Sequence, residues 1–244
     1  LISKYTMGAV LYHQACDTYL DEKMTASSKP NNKPYKEGAH YTGKEHSWDE
    51  AFGYWGAAAH TMKLSAVQSY DVAKKKDLKA ADYNKDGVVD LQTEMTYAHA
   101  YYASSFDKSG KTNYLKNVTG AFLDGRKLIT KANGNKLSAN ELDKIQGYVQ
   151  IICSNWEDVI AEAVFKYAGS VYKDLGNVEK ALETGSGMDK AMSAYLKHWG
   201  ELKGFAMALQ AGPDNKSDTF NKLNRMMGFG PLMPNLSQVV GLDS

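Results

Sequence analysis

Apolar residues along this chain recur mostly three and four positions apart, which places them on one face of an α-helix. The clearest stretch begins at Ser138, which with Glu141 forms a Ser-x-x-Glu capping box. Leu142, Ile145, Val149, Ile152, Trp156, Val159 and Ala163 then follow at alternating threes and fours. They predict a helix of roughly seven turns or more that buries one stripe against a bundle. Met188, Met192, Tyr195, His198, Leu202, Phe205 and Leu209 form a second stripe, closed by Ala211-Gly212-Pro213. Between the two, Asp174 to Gly187 reads as a short helix bounded by glycines. Weaker patterns predict helices over 2–22, 46–60, 91–106 and 113–132, and a short piece near 217–227. Gly228, Gly230, Pro231 and Pro234 follow it, then a last short segment. The polar, proline-marked residues 27–34 predict a loop, and Lys74-Lys75-Lys76 a solvated surface. No strand run of period two and no repeat of fixed period emerges. The expected fold class is all-α, an up-and-down bundle of about six to eight helices.

Composition sharpens this picture in a few places. A chain of 244 residues makes one large domain or two small ones. With 43% hydrophobic and 23% charged residues it has the material for a core, which excludes wholesale disorder. Proline numbers only 5, which permits long helices. Lys+Arg 29 against Asp+Glu 28 leaves a net charge of +1, and Arg126 and Arg225 are the only arginines. That removes the electrostatic case for nucleic acid and leaves almost no bidentate phosphate forks. No stretch approaches the about 18 consecutive apolar residues of a membrane helix. Cys16 and Cys153 form no metal-type spacing; one bridge is possible, and two buried free thiols are the commoner arrangement.

One segment carries chemistry on its face. From Asp82, the side chains of Asp82, Asn84, Asp86 and Asp90 fall at positions 1, 3, 5 and 9 of a calcium loop. Gly87 at position 6 permits the sharp turn, Val88 offers its carbonyl at position 7, and Val89 would plug the core. Thr93 occupies position 12, so the acidic ligand is shifted to Glu94 at position 13. The expected ion is calcium, holding the loop rather than signalling. The alternative is an Asx-rich turn that caps the following helix without metal.

Two further pairs have helical spacing. His46 and Glu50 can share a face, and so can His198 and Glu201. An imidazole with a carboxylate suits zinc or iron, and two such pairs on facing helices would make a bundle-core metal site. Each pair has a plainer reading as well: a helix N-terminus for His46 and Asp49, and a hydrogen-bonded core histidine for His198.

The runs from His46 to Gly56, Ala121 to Arg126 and His198 to Phe205 resemble an uncharacterised bacterial domain family related to imelysin. The loop Asp82 to Glu94 is similar to an insertion that recurs there. The resemblance implies an exported or lipid-anchored protein of the periplasm or outer-membrane surface. It also implies an imelysin-like bundle, in one domain over 1–244 or as two packed sub-bundles, with more chain upstream in the relatives. The Gly-x-His-x-x-Glu motif of imelysin-like proteins, linked to metal binding and to peptidase activity, is altered here. Lys44 stands at the glycine place and Glu50 is four residues after His46, while His198 and Glu201 keep the three-residue step. Three functions follow as expectations. The first is a module binding a metal or another ligand, with any membrane contact through a removed lipid anchor. The second is a metal-dependent peptidase with Glu50 or Glu201 as general base. The third is a scaffold with a buried His/Glu network.

Overall fold

The computed structural model describes residues 1–212 and 217–233. Pro213, Pro234 and the last short segment lie outside the described residues. The architecture is an all-α multi-helix bundle, with one isolated antiparallel bridge, Pro34 to Thr42, beside it.

α1 (Ile2–Thr6) runs on through two π-helical stretches, Met7–Tyr12 and Gln14–Tyr19, so the expected helix over 2–22 ends near Tyr19. α2 is Gly43–Trp55, which starts three residues before the expected 46–60. Its start is set by a reciprocal capping box between Thr42 and Glu45, and its end by Gly56. Two short helices flank the lysine run, α3 (Ala66–Ala73) and α4 (Leu78–Ala81). α5 is Ala98–Asp107, which corrects the expectation of a helix from Leu91. The backbone of 93–97 is drawn away to pair with the end of α2: Ala59 N–H donates to Thr93 C=O and Tyr97 N–H to Gly56 C=O, both at 2.7 Å. α6 is Tyr114–Lys131, close to the expected 113–132.

The long stripe is α7 (Ala139–Thr184), a single helix of 46 residues, not one helix followed by a short one. Gly169 and Gly176 pass through its interior without breaking it. Their propensity cost of about 1 kcal/mol each is offset by packing along α8 (Met188–Ala208), which returns beside it after Gly185-Ser186-Gly187. α9 (Ser217–Met227) packs back on α8, where Lys203 Nζ donates to Asn224 C=O.

The main core gathers α2, α5, α6, the inner half of α7 and the end of α8 around the buried Trp48, Trp55, Trp156 and Phe205. Trp48 lies flat on α6: a Cβ added at Gly125 would come within 2.1 Å of its Cζ2, so only glycine fits there. Trp48 Nε1 donates to Phe122 C=O at 2.8 Å, so its polar end is satisfied. Cys16 and Cys153 are joined in a disulfide that ties the π-helical segment to α7. This corrects the expectation of free thiols; the Tyr12 hydroxyl, one turn before Cys16, donates to Cys153 C=O and to Glu157, which brings the segment onto that face of α7. A small second cluster, Leu64, Val72, Ala81 and Met95, lies under α3 and α4.

Candidate functional site

The acidic loop follows α4 directly. Asp77 caps that helix, accepting from Ala80 N–H at 2.9 Å. The chain then wraps around its own carboxylates. Asp82 accepts from the N–H groups of Asp86 and Gly87 at 3.2 and 3.0 Å, and Asp86 accepts from Val88 N–H at 2.8 Å. Lys85 and Gly87 take left-handed backbone angles, φ 62° and 86°, the conformation that glycine at position 6 supplies without strain. Glu94 is 5% exposed and is turned inward. One of its oxygens accepts from Tyr83 and Asn84 N–H at 3.0 and 3.2 Å, the other from Asp90 N–H at 2.9 Å. Glu94 therefore knots both ends of the loop to the small core cluster, against which Val89 packs. Asp90 accepts from Gln92 N–H and the Thr93 hydroxyl, and these hydrogen bonds hold its carboxyl below the usual carboxylate range.

His46 lies on the exposed side of α2. Its ring stacks on Tyr35 at 3.8 Å between centroids, and Nε2 is 3.6 Å from Glu50 Oε1. His46, Asp49 and Glu50, with Gly53 and Tyr54, line an open cleft of about 470 Å³. Arg126 frames it from α6, donating to Glu45 at 2.7 Å and to Asp49 at 2.8 Å. Burial of the Glu45 carboxyl pushes it up, but the Thr42 N–H, the Thr130 hydroxyl and Arg126 outweigh that and hold it low. Lys44, two residues before His46, is 2% exposed. Its ammonium donates to the carbonyls of Thr25 and Ser28 at 2.7 and 2.9 Å, and burial lowers it to about 8.

The structure does not bring the 46/50 pair and the 198/201 pair together. His198 Nδ1 is 2.6 Å from Asp174 on α7, and Glu201 is 3.9 Å from Lys4 on α1. The Tyr167 ring lies 6.0 Å from that of His198 and stacks on Phe205 at 5.8 Å between centroids. Burial raises the Tyr167 hydroxyl to about 12. Among the described residues, no three His, Cys, Asp or Glu side chains cluster closely enough to hold a metal ion. Tyr35, Asp174, Lys4 and Tyr167 carry no local sequence signal for these roles, because each reaches its partner from a different helix or loop.

A family model described as a domain of unknown function (DUF4856) matches residues 1–215. No curated protein and no solved structure matches the chain.

Proposed function

We propose, on the premise that this chain belongs to the DUF4856 family, that it is an exported helical binding module whose acidic loop takes calcium as a structural clamp. The observation that carries the binding reading is the open cleft that His46, Asp49 and Glu50 line. Their counterparts, His198 and Glu201, are engaged by Asp174 and Lys4, and we read them as two half-buried polar pairs of the scaffold. A ligand that itself bears zinc or iron would find two donors here, His46 and Glu50, 3.6 Å apart, and would bring the remaining donors with it. The imelysin-type peptidase is the weaker reading, since the Gly-x-His-x-x-Glu motif is altered and, among the described residues, the His/Glu pairs do not join into one metal cluster.

Export rests on the Cys16–Cys153 disulfide, because such bonds persist in oxidising compartments outside the cytosol. A periplasmic or outer-membrane location, with or without a lipid anchor, accords with it. The calcium reading rests on donor chemistry. Asp82, Asn84, Asp86 and Asp90 offer hard oxygens that an ion would have to draw together, and a carboxylate oxygen that accepts one N–H keeps lone pairs for a cation. Glu94 would support the loop from beneath, since both its oxygens are already bound to backbone N–H groups.

Melting curves test both readings on the whole chain. Calcium should raise the melting temperature, and Asp86→Ala should abolish the rise; equal curves with calcium and with chelator would remove the calcium clamp. Zinc or iron should bind with a stoichiometry that His46→Ala removes and His198→Ala leaves in place. Loss in both variants, or in neither, would remove the cleft as the site.

A further inference from the structure

A different face of the molecule concentrates positive charge. Two open cavities, of about 420 and 600 Å³, adjoin where α3, α5, α1 and α7 meet, and both are lined by Lys74 and Tyr101. Lys4, which is paired with Glu201, and Lys75 line the first, Lys108 and Lys166 the second, and Glu162 is the one carboxylate in either lining. On a chain of net charge +1 that is a marked local excess. Lys74, Lys75, Lys108 and Lys166 form no salt bridge among the described residues. Three of these ammonium groups rest over tyrosine rings: Lys108 over Tyr70 at 4.0 Å, Lys166 over Tyr167 at 5.2 Å and Lys74 over Tyr101 at 5.4 Å. A ring face is a weak partner for an exposed cation, so an incoming anion can draw the lysines off and leave the rings free to stack.

We propose that this trough binds an acidic oligosaccharide, with its carboxylate or sulfate groups on the lysines and its sugar rings against Tyr70 and Tyr101. Tyrosine presents an apolar ring together with a hydroxyl, which suits a pyranose that has both an apolar face and hydroxyl groups. A nucleic acid is the less fitting occupant. No arginine lines the trough, and Arg126 is committed to Glu45 and Asp49 on another face. The proposal stands apart from the His46 cleft and the acidic loop, and either can fail without the other.

Calorimetric titration of the full chain at low salt with a galacturonate hexamer, a neutral glucose hexamer and a dT oligonucleotide tests it. The acidic hexamer should bind, and more weakly as salt rises. Lys74→Ala/Lys108→Ala should weaken it by about tenfold or more, and Tyr101→Ala by a similar factor, with Tyr101→Phe close to the parent. Lys136→Ala, an exposed lysine elsewhere, should change nothing, and melting curves should show each variant folded. Absence of binding, equal binding of the neutral hexamer, or insensitivity to the double lysine change would overturn the proposal. Binding of the oligonucleotide as tightly as the acidic hexamer would reassign the face to nucleic acid.

Discussion

The inner and outer halves of α7 make the instructive comparison. Both carry apolar residues at helical spacing. In the inner half Ile145, Ile152, Trp156, Val159 and Ile160 are buried, because α6, α5, the π-helical segment and the end of α8 surround them. In the outer half Ala163, Val164 and Tyr167 still join the main core, but beyond them Tyr172 is 83% exposed, and Val178 buries itself in a small separate cluster with Tyr195 and Trp199 of α8. The same periodic pattern thus means a core in one place and a two-helix arm in the other. What differs is the number of elements that reach the helix.

The comparison can be broken at its strongest point first. Cys16→Ala/Cys153→Ala removes the tie across 137 residues of chain. It should cost about 4–5 kcal/mol in denaturant unfolding, since a loop of that size frees much unfolded-state entropy. Trp156→Ala, in the middle of the inner half, should cost about 3–5 kcal/mol.

His99 offers a pH probe of the same core. It is fully buried against Trp156, and neither ring nitrogen has a hydrogen-bond partner among the described residues. Burial, and then the charge of Lys4, lowers it to about 3. The unfolded chain takes up the proton near pH 6.5, so this part of the stability is complete above that pH and is lost as pH falls toward 3. The slope should reach about 1.4 kcal/mol per pH unit in the middle of that window. His99→Phe should flatten the curve there, and an unchanged pH dependence would refute the assignment. Tyr172→Ala on the arm should sit within about 0.5 kcal/mol of the parent, and a larger loss would mean that the outer half is covered after all.

Much of the local structure was legible from residue types. The boundaries of α6 follow from Asn133-Gly134-Asn135 and those of the start of α7 from Ser138 and Glu141, because capping and turn chemistry act over three or four residues. The i, i+4 approach of His46 and Glu50 is equally local. The delayed start of α5 was not legible, since it depends on hydrogen bonds to Gly56 and Ala59, some forty residues back in the chain. Nor was the continuity of α7, where glycines that read as stops are carried by α8.

The sequence by itself determined an all-α chain with two strong helical stripes, a compact acidic loop closed by Gly87 and two helical His/Glu pairs. Each of these is encoded within a turn or two of backbone. Tertiary structure decided that Cys16 meets Cys153, that His198 turns to Asp174 and Glu201 to Lys4, and that five lysines line the two cavities that share Tyr101. Those outcomes depend on which helices pack side by side, a choice made by burial of apolar surface, which is non-directional and leaves no mark at any one spacing.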